Sequence, residues 1–151
     1  MRNIYFFRNL LISVLVIFFG ERWYIFIGYL VLNLIDCITG SLKAIKLKEI
    51  SSYIGIIELS KKIGYWVILC ISFYISYIFV IIGNNILGIS LTFMYLLGWY
   101  TLASLMINEV ISILENLTLL SIKVPYILFK SLKVAKKILE NSEKKIFNEK
   151  R

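Results

Sequence analysis

Two uninterrupted apolar runs decide what this chain can be. Residues 63–82 are 20 in a row without a charge, and residues 86–107 are 22. At about 1.5 Å of rise per residue, a helix of either length spans a hydrocarbon layer of roughly 30 Å. A water-soluble core has no use for such runs, because only one stripe of each helix needs to be apolar. Composition agrees. Of the 151 residues, 60% are hydrophobic and 17% charged, with a mean hydropathy of +0.83, against about 45–50% and 25% in soluble domains. The sequence predicts an all-α integral membrane protein.

The first third is less regular. Residues 4–19 are apolar apart from Arg8, residues 23–35 are apolar up to Asp36, and Gly20-Glu21-Arg22 lies between. One helix through 10–35 would carry Glu21 and Arg22 near mid-bilayer, at a cost of about 2.5 kcal/mol or more per charge. A hairpin turning at Gly20 returns both to the surface, with Arg8 snorkelling to the headgroups. No small-x-small cleavage site follows Phe19, which argues against a cleaved signal peptide. The expectation is four transmembrane helices, 4–19, 23–38, 63–82 and 86–107, in a membrane domain 1–122, then a basic tail 123–151. A three-helix version, with the first run lying along the interface, keeps the C-terminal orientation.

Charge sets that orientation. Arg2 and Arg8, the five lysines between Asp36 and Lys62, and the nine basic residues from Lys123 onward share one side, 16 of the 17 Lys and Arg; only Arg22 lies opposite. The positive-inside rule makes that side cytoplasmic, with both termini inside. The net charge of +8 and a pI near 9.5 then reflect attraction to anionic lipid on the inner leaflet, not nucleic acid binding. Residues 126–147 read as a basic amphipathic helix: Leu128, Leu132, Ala135, Leu139 and Ile146 form a stripe, and Lys130, Lys133, Lys136, Lys137 and Lys144 cover the rest. Pro125 suits its first turn. Such a helix lies on a leaflet, or else contacts a partner or regulates timing.

Catalytic chemistry has no foothold. The chain has no histidine, and its two cysteines, Cys37 and Cys70, lack metal-ligand spacing. No phosphate loop, nucleophile–base grouping or HExxH-like helix is present. No enzyme activity, metal or cofactor is expected. A glycosylation sequon at Asn116–Thr118 falls on the cytoplasmic side and reads as chance. Two polar stripes stand out instead. On the third predicted helix Tyr65, Ser72, Ser76 and Gly83 share a side; on the fourth, Ser90, Thr101, Ser104 and Asn108 do, continuing to Ser112 and Glu115. Small hydroxyl residues permit close packing or bond back to their own helix; lining a pore is the alternative. Glu109 and Glu115 are expected just beyond the fourth span. There they neutralise Lys123 or the central loop, or set a charge ring on assembly.

Between the second and third runs, Tyr29, Asn33, Asp36, Gly40 and Lys43 fall on one helical face. Asp36 is expected at the cytoplasmic boundary, wet or paired with Lys43, Lys61 or Lys62. It either ends the span and holds the loop against the next helix, or acts in pore gating or assembly. Thr39-Gly40 allows a close approach or a bend. Ser51-Ser52 reads as a helix N-cap, and Lys61-Lys62 opens the third span ahead of the interfacial pair Tyr65-Trp66.

Taken in order, "FGERW", "LIDCITGSLKAI", "ISSYIG", "SKKIGYW", "SILEN" and "VP" resemble the bacteriophage holin family, which includes clostridial toxin-secretion holins. The positions that carry the resemblance are Asp36, Thr39, Gly40, Lys43, Ala44, Ser51, Ser52, Gly55, Lys61, Lys62, Glu115, Asn116 and Pro125. It covers roughly residues 19–137. Glu58 departs from the glycine usual there, and "SIKVP" replaces a Gly-x-x-x-Pro approach to the tail. The resemblance implies a homo-oligomer in the bacterial cytoplasmic membrane, forming lesions that release an endolysin or a large toxin. Read without it, the residues equally suit a small ion or solute channel or transporter subunit, or an adaptor docking a cytosolic partner through the lysine-rich tail.

Overall fold

The computed structural model describes Tyr5, Asn9, Leu10, Ser13 and residues 22–148; apart from those four residues, the expected first span 4–19 lies outside the described residues. Four helices follow: α1 (Trp23–Leu47), α2 (Ser52–Ile82), α3 (Tyr95–Leu119) and α4 (Tyr126–Asn148). Among the described residues there is no strand.

α1 runs nine residues past the expected end at residue 38. Its polar residues bond back to their own helix: Thr39 Oγ1 donates to the Asp36 carbonyl and Ser41 Oγ to that of Cys37. The ladder is left intact, and Leu, Lys and Ala carry it on. It stops where Lys48 turns left-handed (φ 58°), the Lys48 N–H reaching the Ile45 carbonyl and the Glu49 N–H that of Ala44. This is a Schellman ending with lysine where glycine is usual. The expected central loop therefore shrinks to residues 48–51. α2 starts eleven residues before the expected 63, with extended Ser51 in the N-cap position but making no side-chain cap bond.

α3 begins at Tyr95, not at residue 86, and continues twelve residues beyond 107. The chain reverses first. A π-turn covers Gly83–Leu87, Gly88 is left-handed (φ 66°), and the Ile89 N–H returns to the Gly83 carbonyl. A Cβ on Gly83 would lie 2.7 Å from the Ile89 carbonyl oxygen, so only glycine fits this reversal. A 3-10 turn, Thr92–Met94, leads into α3.

α3 is the central element, packed against α1, α2 and α4. α1 runs parallel to it and α2 antiparallel. Phe26, Tyr29, Leu69, Leu102 and Leu105 form the core, with Trp66, Phe73 and Trp99 at its margin. Phe73 meets Trp99 edge-on at 5.3 Å and Phe26 at 5.3 Å. The Arg22 guanidinium lies over the Trp99 ring at 5.2 Å.

Polarity is inverted relative to a soluble bundle. Leu34, Ile38, Ile71 and Tyr74 are each more than half exposed, while Asn33, Thr39, Ser76, Glu109 and Asn116 are buried. Water would drive the opposite sorting; hydrocarbon accepts this one, since lipid tails are as apolar as leucine. Among the described residues, three stretches are long and apolar enough to cross a membrane: Trp23–Leu47, Ser52–Leu87 and Thr92–Leu119.

The basic helix α4, expected flat on a leaflet, is folded back antiparallel along α3. Thr118 and Leu119 share a hollow with Tyr126 and Phe129, and just past the middle of α4 the Tyr100 hydroxyl donates to the Leu139 carbonyl. Of the expected stripe, Leu132, Ala135 and Leu139 are half-buried, and Leu128 is exposed. Pro125 precedes the helix, its carbonyl accepting the Leu128 N–H at 3.1 Å.

Gly98 lets α2 approach α3: a Cβ there would lie 2.6 Å from the Phe73 ring. Gly98→Ala is expected to destabilise the bundle by about 1–3 kcal/mol, the usual cost of overpacking. Denaturant titration of tryptophan fluorescence in detergent micelles checks this; an unchanged midpoint would refute the packing.

Candidate functional site: a buried ion triad between three helices

Along α2 and into the turn that follows it, Lys62, Leu69, Ser76 and Gly83 are spaced by seven, two turns apart, and all are partly or wholly buried. This line faces the other helices. At its end the Lys62 ammonium donates to Asp36 Oδ2 of α1 at 2.8 Å and to Glu109 Oε2 of α3 at 2.6 Å. The three side chains are 12%, 15% and 6% exposed, so this is an interior ion triad, not a surface pair. Asn116, two turns beyond Glu109 on α3, completes it. Its Nδ2 donates to Asp36 Oδ1 at 3.1 Å and to Thr39 Oγ1 at 3.3 Å. Gly40 lies alongside, where a Cβ would touch Asn116 Nδ2 at 3.7 Å.

One charge comes from each of three helices, and two carboxylates share one ammonium. An unpaired charge in such a place costs several kcal/mol, and a pair offsets this only with close geometry and further hydrogen bonds. Both conditions are met. Above the triad opens a cleft of about 220 Å³, lined by Gly40, Lys43, Glu58, Lys61, Tyr65, Asn108, Ser112 and the triad with Asn116. Below it the polar line continues inward along α1, where Asn33 Nδ2 donates to the Tyr29 carbonyl at 2.8 Å.

The structure thus gathers Asp36, Thr39, Gly40, Lys43, Lys61, Lys62, Asn108 and Asn116 at one junction. Asp36 chooses Lys62 from its three expected partners. Ala44 is half-buried one turn beyond Gly40, while Ser51, Ser52 and Gly55 lie exposed around the start of α2. Glu115 and Pro125 stand apart, Glu115 exposed beside the α3–α4 hollow. The serine stripes meet within one chain: Thr101 Oγ1 donates to Ser72 Oγ at 3.2 Å, and fully buried Ser76 donates to the Ser72 carbonyl at 2.7 Å. Ser104 is half-buried on α3, and Ser90 pairs with Thr92 in the turn.

Two residues had been placed differently. Glu109, expected beyond the span, is inside α3; of its expected partners, Lys123 or the central lysines, it takes one of the latter, Lys62. The signal was available in the repeat Gly98, Leu102, Leu105, Glu109, which keeps one inward face. Lys46 had been only one loop lysine among five. Its ammonium donates to the Leu119 carbonyl at 3.1 Å and to Ser121 Oγ at 2.7 Å, clasping the end of α3. Asn116 of the sequon is buried and bonded. Among the described residues no group of Cys, Asp or Glu is arranged to hold a metal ion.

The motif residues that converge here lie within the part of the chain that a known family describes. The profile of the Bacteriophage holin family matches residues 13–137. The chain belongs to that family. Its sequence is also 37% identical over 113 residues to a protein named "Probable holin" from Bacillus phage phi105, covering 73% of this chain and 72% of the phage protein. No solved structure matches it. This holin-family chain is an all-α membrane protein of the phage-lysis type, and the triad holds its three apolar helices in one register.

Lys62→Met leaves two buried carboxylates facing each other and is expected to cost about 3–5 kcal/mol. The triple change Asp36→Asn, Lys62→Met, Glu109→Gln should recover most of that loss. Unfolding in micelles reads both, with Lys61→Met as the exposed control; equal losses for the two lysines would show that no buried triad exists.

Proposed function

We propose that the chain accumulates in the bacterial cytoplasmic membrane with both termini inside, then self-associates into lesions through which an endolysin, or a large exported toxin, reaches the cell wall. Family membership is the observation that carries this reading. The inverted bundle supports it: a chain with apolar flanks and a polar junction inside can insert as a unit and still hold groups able to meet water. Residues 1–122 supply the spans, and residues 123–151 lie toward the anionic inner leaflet. The lysine distribution supports that side assignment.

Action without catalysis fits the same facts. The chain offers no histidine, and a lesion needs only helices that exchange partners. Ser72, Ser76 and Thr101 serve packing inside one chain, since they bond to each other and to their own helices. Asn108 and Ser112, already at the cleft, are the groups placed to face water on assembly.

Inducible expression in a bacterium, with a potential-sensitive dye and a co-expressed wall hydrolase lacking an export signal, tests the function. Depolarisation followed by lysis is expected only when both proteins are present. A membrane that stays polarised at high protein level would end the proposal. Orientation has its own test, with Cys37 and Cys70 replaced by serine: Asn141→Cys should resist an impermeant maleimide added to intact cells and react after permeabilisation.

A further inference from the structure

The two sides of α4 suit different surroundings. Toward α3 it offers half-buried Leu132, Ala135 and Leu139, and it is held at its start, by the Tyr126–Thr118 hollow, and just past its middle, by the Tyr100–Leu139 hydrogen bond. Outward, Lys130, Lys133 and Lys137 follow at three- and four-residue spacing and are exposed. They rim a groove of about 300 Å³ floored by Tyr126, Phe129 and Val134. Ile127 and Val134 are 71% and 50% exposed. Lysines rimming an apolar strip are the pattern of a helix that lies between headgroups and acyl chains.

That pattern conflicts with the docked position once α1–α3 are immersed. Tyr100 lies within the charge-free stretch 86–107. A helix fastened there by Leu139 carries Lys136 and Lys137 to nearly the same depth, where an ammonium is strongly disfavoured. The link between α3 and α4 can accommodate a different arrangement. It is six residues of turn and irregular chain ending at Pro125, with Ser121 left-handed at φ 67°.

We infer that α4 is a two-position helix whose outward face binds anionic phospholipid headgroups. It docks on α3 where no bilayer surrounds the bundle. In an anionic bilayer it swings about residues 120–125 so that Lys130, Lys133 and Lys137 meet phosphates and Ile127 and Val134 enter the acyl boundary. Release uncovers the α3 line Tyr100, Ser104, Ile107, Ile111, Leu114 and Thr118, of which Ile111 and Leu114 are buried in the docked form. The inference rests on α1–α3 spanning the bilayer, so insertion is measured separately.

The test uses the full chain carrying Cys37→Ser and Cys70→Ser, with spin labels on Leu96→Cys and Asn141→Cys. Docked helices at normal packing distance place the labels within about 20 Å; α4 at right angles to α3 places them about 40 Å apart by helix length. The short distance is expected in micelles, a mixture of the two in phosphatidylcholine vesicles, and the long one in vesicles containing phosphatidylglycerol. Lys130→Gln, Lys133→Gln and Lys137→Gln together should lower the released-to-docked ratio about a hundredfold in phosphatidylglycerol. Tyr100→Phe should raise it in phosphatidylcholine. One distance in every environment overturns the switch, and equal release in both vesicle types overturns the assignment to anionic headgroups. Resistance to alkaline carbonate extraction reports insertion; its loss would fault the spanning arrangement and not the switch.

Discussion

The Lys62 ammonium, held between Asp36 and Glu109 at 2.8 and 2.6 Å, is the contact on which the bundle depends. None of the three charges can be buried alone, and each belongs to a different helix. Apolar packing tolerates a helix that slides or rotates, because one leucine replaces another at little cost. A shared ammonium does not. Displacing α2 by one turn, about 5.4 Å, would break both bonds and leave three unpaired charges. The aromatic cluster at the other end sets how closely the helices approach; the triad sets their register.

Most of the remaining polar groups follow the rule that hydrocarbon imposes, that a partner is found inside the protein. Ser60, Ser72, Ser76, Thr118 and Ser131 each donate to the carbonyl four residues back, so the hydroxyls cost the helices little. The carboxylates, the Lys62 ammonium and the Asn116 amide take their partners on other helices. The ion pairs between the spans therefore collect at one level, and the cleft of about 220 Å³ opens where they collect.

Much of this was legible in the sequence. Residues 63–82 lack charge, which announces a span regardless of tertiary detail, and Tyr29, Asn33, Asp36 and Gly40 keep one helical face. Lys62 was named among the partners of Asp36. Helix ends were harder to read. Residues 39–47 carry Thr, Gly, Ser and two lysines, the composition of a loop, yet their hydroxyls bond back to α1 and the helix continues. Residues 86–94 are apolar enough for a span, yet Gly83 and Gly88 consume them in a reversal whose tightness depends on the absence of a Cβ. Glu109 was misplaced because a charge signals the end of a span unless its counter-ion is known, and that counter-ion lies 47 residues away. The docked position of α4 had no local signal at all.

Lys46 gives the bundle a mechanical property. Its ammonium grips the Leu119 carbonyl and Ser121 Oγ, the point from which α4 departs. It stands on the same rigid helix as Asp36, ten residues or about 15 Å away. A pull on the tail at its root is therefore applied to α1 as well as α3, the two helices that hold the carboxylates. Force on the lysine-rich end would be felt as torque at the Lys62 junction, so the tail and the interior lock act as the two ends of one lever.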